Sequence, residues 1–309
     1  MSATQPHREM HDQGHNMSWN VVEAGSADFT PGSEAELTLV ACLRNLPGRR
    51  TVWHARLNDS GRDILLKIYQ DHPKQERDLG REWDHSQKLI SAGLPLPRPL
   101  MIAESGGELA IAFDFIDGGN TVGREQLRDG GETRAMLLRQ LVDIHARAHA
   151  SGCYQSDNHL GNYLWGREQL WILDAGSYVF GGKPLPDDTR RKNLAMLEAS
   201  LPLACGQPFR AALETNYPEP VRGMGQAVRK ALDARRRAYS KKTRRSCTEF
   251  EHVRKRGFDW LACRDIDPDL REAMQDDPDQ LFGEEGWLKK GNTSSVVEIV
   301  FGRKSYICL

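Results

Sequence analysis

The strongest chemical signal in the sequence comes from three residues, separated by short intervals, whose side-chain oxygens could bind a metal ion. Asp157 is followed five residues later by Asn162, and a second aspartate, Asp174, precedes Ala175-Gly176. Carboxylate and amide oxygens are ligands that Mg²⁺ prefers in proteins, usually together with nucleotide phosphates. A positioned carboxylate can also orient a hydroxyl and take its proton. The spacing predicts one loop that carries chemistry, followed by a hairpin over 163–173.

A single lysine inside an apolar stretch is the second signal. Lys67 lies in Ile64-Leu65-Leu66-Lys67-Ile68-Tyr69, where a charge is costly unless an anion meets it. The helix predicted over 73–91 offers Glu82 as that anion, with Glu76 in reserve. The alternative is a lysine that extends from an edge strand into water and a solvated glutamate. The downstream loop favours the ion pair.

The order of these residues resembles that of protein kinases, in which a loop H-R-D-x-x-x-x-N is followed by a hairpin and D-F-G. The resemblance implies that Asp157 orients the acceptor hydroxyl, that Asn162 and Asp174 bind Mg²⁺, and that Lys67 and Glu82 form the catalytic ion pair. Gln155 and Ser156 depart from it, because kinases have His and Arg there. Without that Arg, control by an activation-loop phosphate is not expected.

Nucleotide contacts are predicted by position in the same resemblance. The turn Leu46-Pro47-Gly48-Arg49-Arg50-Thr51-Val52 has one glycine, so it lacks the Gly-rich pattern of kinases. Gly48, Arg49, Arg50 and Thr51 are nevertheless predicted to contact phosphate. An edge strand at 113–116 would bind adenine through the backbone of Phe113 and Phe115.

The surrounding pattern predicts an α+β, two-lobed, protein-kinase-like fold: a small antiparallel N-lobe with one helix and a mostly helical C-lobe. The expected boundaries are a disordered leader over 1–34, an N-lobe over 35–118 and a C-lobe over 119–240. A basic and then acidic helical linker follows over 241–285. Residues 286–309 resemble the opening hairpin of a second kinase domain, which predicts a fragment of a tandem kinase.

Within the kinases, several motifs resemble the bacterial lipopolysaccharide core kinases, which include Kdo and heptose kinases. They are Glu82-Trp83, Gly93-Leu94-Pro95-Leu96-Pro97, Asp157 to Asn162, and Leu173-Asp174-Ala175-Gly176. The resemblance covers residues 43–200. It implies ATP, Mg²⁺ and a lipid-linked core sugar as acceptor at the cytoplasmic face of the inner membrane.

Composition narrows the class of partner. The chain has 309 residues, a net charge of −1 and 39% hydrophobic residues, so no overall field indicates nucleic acid, and none is expected as a partner. The dense basic run from Arg235 to Arg245 has three interpretations: a solvated helix face, a contact with membrane or glycolipid phosphate, or a nucleic-acid patch.

Location follows from the absence of targeting signals in the sequence. The six cysteines are scattered, residues 1–20 lack an apolar signal-peptide core, and no long apolar run could span a bilayer. The prediction is a cytoplasmic protein, or one peripheral to the inner membrane. His145 and His149, four apart on a helix, are expected to be structural rather than metal ligands, and His159 to pack the loop.

Two other functions fit the same residues. One is a small-molecule kinase resembling aminoglycoside or choline phosphotransferases, whose acceptor sites are acidic. The other is a non-catalytic pseudokinase that serves as a binding module, which the single-glycine turn and Gln155-Ser156 favour. The sequence retains all four key residues, which argues against that loss of activity: Lys67, Asp157, Asn162 and Asp174.

Overall fold

The computed structural model describes residues 14–46, 48–70, 73–123, 127, 131–181, 184–247, 249–255, 257–264, 266–276, 287–289, 296–301 and 304–308. These residues belong to two compact units, Met1–Asp233 and Ala234–Leu309. Every strand pair in the described part is antiparallel, and helices make up much of the rest. The architecture is therefore α+β, as predicted.

Six strands of the first unit close into a barrel, in the order β1-β2-β3-β4-β6-β5. They are β1 (Asn16–Ala24), β2 (Glu34–Leu46), β3 (Arg50–Leu57), β4 (Asp63–Tyr69), β5 (Pro99–Ser105) and β6 (Glu108–Asp114). Apolar residues at alternate positions fill the interior, among them Trp19, Leu37, Trp53, Leu66 and Met101. Their neighbours along each strand face outward, because successive side chains point to opposite faces.

Strand β1 corrects the expected leader over 1–34 and the expected N-lobe start at residue 35. β1 pairs with both β2 and β5, so it is the strand that closes the barrel. Trp19 and Val21 are buried two residues apart, which is the period of a strand. The exposed Val22, directly after Val21, interrupts the apolar alternation and hid the period. Residues 1–13, with the first histidines, lie outside the described residues.

Helix α1 (Gln75–Ser91) packs on the outer face of the barrel. Leu79 and Trp83 are buried there as predicted, but Leu89 is buried instead of Ile90, which is exposed. The indole Nε1 of Trp83 donates a hydrogen bond to Glu23 Oε1 at 2.7 Å, which links the helix to β1.

The rest of the first unit is mainly helical. Its elements are β7 (Asn120–Thr121), α2 (Gly131–Ala150), β8 (Cys153–Gln155), β9 (Tyr163–Gly166), β10 (Gln169–Ile172), β11 (Tyr178–Phe180), α3 (Asp187–Glu198) and α4 (Gly206–Asn216). Helix α5 (Met224–Lys242) begins in this unit and ends in the next. The predicted hairpin is present as β9 and β10, whose turn residues Arg167 and Glu168 have φ of 55° and 57°. Leu137, Leu141 and Ile144 of α2 lie in the core beneath it.

The second unit corrects the expected helical linker over 241–285. Strands β12 (Phe250–Lys255) and β13 (Phe258–Cys263) form a hairpin, followed by α6 (Pro268–Asp276). Gly257, at φ 82°, makes the turn that a helix interpretation overlooked. A three-stranded sheet of β14 (Trp287–Lys289), β15 (Val296–Phe301) and β16 (Lys304–Cys308) follows, with one strand more than the predicted hairpin. Its likeness to a second kinase domain stays a prediction. Across the described residues, no helix combines the length and apolar character needed to cross a bilayer.

Candidate active site

Lys67 leaves β4 on the outer face of the barrel and meets α1. Ile64, Leu66 and Ile68 occupy the inner positions of the same strand, so alternation directs Lys67 outward. Its Nζ contacts Glu82 Oε1 and donates a hydrogen bond to the Leu173 carbonyl at 3.0 Å. The lysine and glutamate side chains are only 8% and 3% exposed. Glu76, the reserve candidate, is exposed on α1.

Glu82 accepts hydrogen bonds from two further donors. Arg50 Nη1 lies 3.2 Å from Glu82 Oε2, and the Tyr69 hydroxyl donates to the same oxygen. Burial alone would raise the pKa of Glu82, but the charges of Lys67 and Arg50 outweigh it and lower that pKa. Sequence reasoning missed Tyr69. The signal was there, since Tyr69 is two residues after Lys67 and so lies on the same side of β4.

Asp174, just after β10, is a carboxylate in the opposite situation. Within the described residues no hydrogen bond reaches its side-chain oxygens, although the residue is half-buried. Burial and the nearby charge of Glu82 raise the pKa of Asp174, despite the opposing effects of Lys67 and Arg50. A buried carboxylate of this kind is stabilised by a cation.

Asn162 lines the same two cavities as Asp174. Its Nδ2 donates a hydrogen bond to the Asp157 carbonyl at 2.7 Å, which fixes the amide and leaves Oδ1 as an acceptor. Amide and carboxylate oxygens fit Mg²⁺, so these two residues could hold that ion if nucleotide phosphates and water completed its shell. No group of three or more His, Cys, Asp or Glu suited to a metal occurs in the part of the chain described.

Asp157 turns its side chain to solvent. The carboxylate is 77% exposed, and His159 Nε2 lies 3.7 Å from its Oδ2. Such an exposed carboxylate can be reached by a hydroxyl group from outside. His159 lines the same cleft as Asp157.

A buried network of neutral polar groups holds the loop that carries Asp157. Asn158 Nδ2 donates to His145 Nε2 at 2.7 Å and to the Asn193 carbonyl at 3.0 Å. The Tyr163 hydroxyl donates to Asn158 Oδ1 at 3.1 Å. Asn193 Nδ2 in turn donates to the Gln155 carbonyl at 2.6 Å. Burial lowers the pKa of His145, so its ring stays neutral and Nε2 remains an acceptor.

The same network explains two features of the sequence. His149 bonds to Asn193 Oδ1 at 3.0 Å and contacts the Tyr217 hydroxyl, so both helix histidines have structural partners. Gln155 extends Nε2 to within 3.5 Å of the Asp174 carbonyl. Gln155 thus links the loop to the Asp174 turn without the histidine that kinases have. Asn193 is distant in sequence from the loop, and no local pattern indicates its role.

Two cavities meet between the barrel and the helices of the first unit. The larger, of about 520 Å³, includes Lys67 and Phe115 in its wall. The smaller, of about 280 Å³, includes Asp157. Asn162 and Asp174 line both, so the four predicted residues Lys67, Asp157, Asn162 and Asp174 border one continuous cleft.

Of the four residues predicted to contact phosphate, two line the cavities and two do not. Arg49 and Arg50 line the smaller cavity, and Arg50 also lines the larger. Gly48 makes the turn at φ 69° but is not part of either wall. Thr51 is a correction: it is buried, and its hydroxyl accepts a hydrogen bond from Trp53 Nε1 at 2.9 Å. Thr51 and Arg50 are neighbours on a strand, so they face opposite sides.

Of the two residues predicted to contact adenine, Phe115 lines the larger cavity and Phe113 does not. β6 lies between β4 and β5 and ends at Asp114, so residues 113–116 are not an edge strand. Phe113 is paired on both sides, and its buried ring lies 5.0 Å from Lys67 Nζ. Phe115 follows the strand, lines the larger cavity and stacks on His54 with ring centroids 4.2 Å apart.

Solved structures include proteins similar to this chain. One is the ROP18 kinase domain in complex with AMP-PNP and sucrose, with a TM-score of 0.45 and 13% sequence identity over 74% of this chain and 88% of that chain. No protein-family model matches the chain, and no curated protein does. The resemblance to bacterial lipopolysaccharide core kinases therefore stays a prediction from the sequence.

Proposed function

We propose that this protein is an ATP-dependent phosphotransferase that uses a hydroxyl group as acceptor. The observation that carries the proposal is the convergence of Lys67, Asp157, Asn162 and Asp174 on one cleft, although they come from distant parts of the sequence. In the two-lobed arrangement that we propose, the barrel with α1 is one lobe and the helices after Gly119 are the other.

The larger cavity suits the nucleoside part of ATP. Val52, Leu65 and Leu164 give it apolar walls, which is the usual lining of a cofactor pocket. Lys67 and Arg50 supply positive charge where the phosphates would lie, and Glu82 holds both in place. Phe115, at the end of β6, would offer its backbone to the base.

Asn162 and Asp174 would hold Mg²⁺ at the junction of the two cavities. When bound, Mg²⁺ neutralises charge on the transferred phosphate group. The raised pKa of Asp174 and the absence of a hydrogen-bond partner for its carboxylate, within the described residues, support this role.

Asp157 would orient the acceptor. Its exposed carboxylate accepts a hydrogen bond from the acceptor hydroxyl in the smaller cavity. The hydroxyl oxygen forms a bond to the γ-phosphorus while the bond from that phosphorus to the β–γ bridging oxygen breaks, and the hydroxyl proton moves to Asp157. The buried network around Asn158 keeps the loop rigid during this step.

For the acceptor, we propose a Kdo or heptose hydroxyl of the lipopolysaccharide core, at the cytoplasmic face of the inner membrane. This part of the proposal depends on the sequence resemblance. Transfer of radiolabelled phosphate from ATP to core oligosaccharide, compared with aminoglycosides and choline, tests it. Labelling of an aminoglycoside or choline instead would replace the lipopolysaccharide proposal with the small-molecule one.

Asp157→Asn tests the chemistry separately from the acceptor. We expect transfer to fall by about 1000-fold, within the range that removal of a general base produces, while nucleotide binding is retained. Asp117→Asn, at an exposed aspartate outside the cavity walls, is the matched control. Equal turnover by Asp157→Asn and wild type would remove Asp157 from the mechanism. Nucleotide binding with no transfer to any acceptor would favour the pseudokinase function.

A further inference from the structure

The end of α5 and the turn that follows it carry a dense group of cations in the second unit. We term it the α5 basic cluster. All its members are exposed: Arg235, Arg236, Arg237, Lys241, Arg244 and Arg245. The net charge of the whole chain is −1, so this concentration is local.

The cluster lacks the counter-charges that accompany cations elsewhere in the protein. None of its members has an acidic partner among the residues that the structure describes, whereas the adjacent Lys242 pairs with Glu249 at 2.8 Å. In α3 and α4, by contrast, Arg190, Arg191 and Arg210 each contact a carboxylate. A solvated helix face usually alternates the sign of its charges, and this one does not.

The arrangement is also unfavourable for the isolated helix. Arg237 and Lys241 are four residues apart, so two like charges face each other across one turn. The helix dipole favours cations in the last turn, which accounts for Lys241 but not for the cations from Arg235 to Arg237. A partner with many negative charges would relieve this repulsion.

One aromatic residue within the cluster indicates the kind of partner. Tyr239 is 55% exposed, and its ring packs edge-on against Phe250 at 5.7 Å, which holds it in place. Tyrosine beside Lys and Arg is typical of helices that lie at a membrane surface, where the ring sits at the level of the headgroups. Residues 235–245 contain only one aromatic ring on which a base could stack.

We propose that the α5 basic cluster docks the protein on an anionic phospholipid bilayer. The cations contact lipid phosphates, and Tyr239 enters the headgroup layer. The proposal rests on the charges and the exposed ring of the second unit, and it does not depend on the phosphotransfer function. A variant such as Asp157→Asn, which keeps the cluster, should bind vesicles as the wild type does.

Sedimentation of the full chain with lipid vesicles tests the proposal. We expect binding to vesicles that contain about 30% phosphatidylglycerol in phosphatidylcholine, and little binding to phosphatidylcholine alone. Raising the salt from about 0.1 M to 1 M shortens the screening length from about 10 Å to 3 Å, so it should release the protein. Arg236→Gln/Arg237→Gln/Lys241→Gln should lower the partition coefficient about 100-fold.

The matched control removes three exposed cations outside the cluster: Arg139→Gln/Lys192→Gln/Arg222→Gln. It has the same net charge as the cluster variant and should bind vesicles nearly as well as wild type. Tyr239→Ala should weaken binding without removing its salt dependence. Equal binding to neutral and anionic vesicles, or equal loss in both triple variants, would overturn the proposal. Tight binding to an RNA or DNA oligonucleotide, with anionic vesicles left unbound, would also overturn it in favour of a nucleic-acid surface.

Discussion

Two carboxylates that line the same cavity have opposite environments. Glu82, on the α1 side, is enclosed by Lys67, Arg50 and Tyr69, and its pKa is lowered. The side-chain oxygens of Asp174, just after β10, accept no hydrogen bond from the described residues, and the pKa of this carboxyl is raised. Glu82 is thus fully compensated by the protein itself, while Asp174 is not.

The difference separates a structural charge from one available to a ligand. Removing Glu82 would leave buried cations without a partner, which is expensive for the fold. Removing the charge of Asp174 would relieve the fold of an uncompensated carboxylate. We therefore expect substitution of Glu82 to reduce mainly stability, and substitution of Asp174 to reduce mainly metal-dependent activity.

Asp174→Asn should have the largest effect. We expect phosphate transfer to fall by about 1000-fold or more, because the proposed Mg²⁺ site loses its only carboxylate from the chain. Thermal stability should not fall, since a neutral amide replaces a buried charge. Turnover assays and thermal melts measure the two quantities. Asp188→Asn, at an exposed ion pair, should leave both stability and transfer nearly unchanged. A large loss of stability in Asp174→Asn would contradict the conclusion that the charge of Asp174 does not stabilise the fold.

Glu82→Gln should lower the free energy of unfolding by about 3 kcal/mol, because Lys67 and Arg50 lose the anion that compensates them. Urea denaturation measures this change. Glu76→Gln, on the exposed side of the same helix, should stay within about 0.5 kcal/mol of wild type. If the two variants were equally stable, Glu82 would not be the structural charge that its contacts indicate.

Lowering the pH should distinguish the roles of Asp174 and Glu82 without any substitution. Asp174 binds a cation only when ionised, so Mg²⁺-dependent nucleotide affinity should fall about tenfold per pH unit below its raised pKa. Glu82 stabilises the fold above its ordinary pKa of 4.5, and this stability is lost only as the pH falls through its lowered value. On acidification, metal-dependent binding should therefore fail before the fold does. Titrations and urea melts over the same pH series test this order; simultaneous loss would contradict it.

Tyr163→Phe should have the smallest effect, and it tests the buried network that holds the loop carrying Asp157. The change removes the donor to Asn158 Oδ1, so we expect a loss of about 1 kcal/mol in stability. Tyr154→Phe, at a half-buried tyrosine whose hydroxyl has no hydrogen bond within the described residues, is the control. A Tyr163→Phe variant as stable as the control would show that the network does not hold the loop.

Much of the cleft could be predicted because its residues are unusual in their local context. Lys67 stands out as a charge in an apolar strand, and Asp157, Asn162 and Asp174 share a recognisable spacing. Tyr69 was predictable from its position two residues after Lys67, but its neutral hydroxyl does not stand out in the sequence as a charge does. The errors at Thr51 and Phe113 came from treating neighbouring residues as one group, although alternate residues of a strand face opposite sides.

The remaining features depend on contacts between distant parts of the chain. Strand β1 is recognisable only from its pairing with β2 and β5, because its own apolar pattern is short. Asn193 supports the loop from α3, and nothing near it in sequence indicates that contact. The hairpin of β12 and β13 was hidden by the charged residues along β12.

The most direct test of the account is a thermal-shift titration with a non-hydrolysable ATP analogue, with and without Mg²⁺, on wild type and Asp174→Asn. A ligand at about 100 times its dissociation constant adds about 2.7 kcal/mol of stability. We predict a shift of that size for wild type, largely dependent on Mg²⁺, and a small Mg²⁺-independent shift for Asp174→Asn. No shift in wild type, or an equal Mg²⁺ effect in both proteins, would contradict the proposal that this cleft binds a magnesium nucleotide through Asp174.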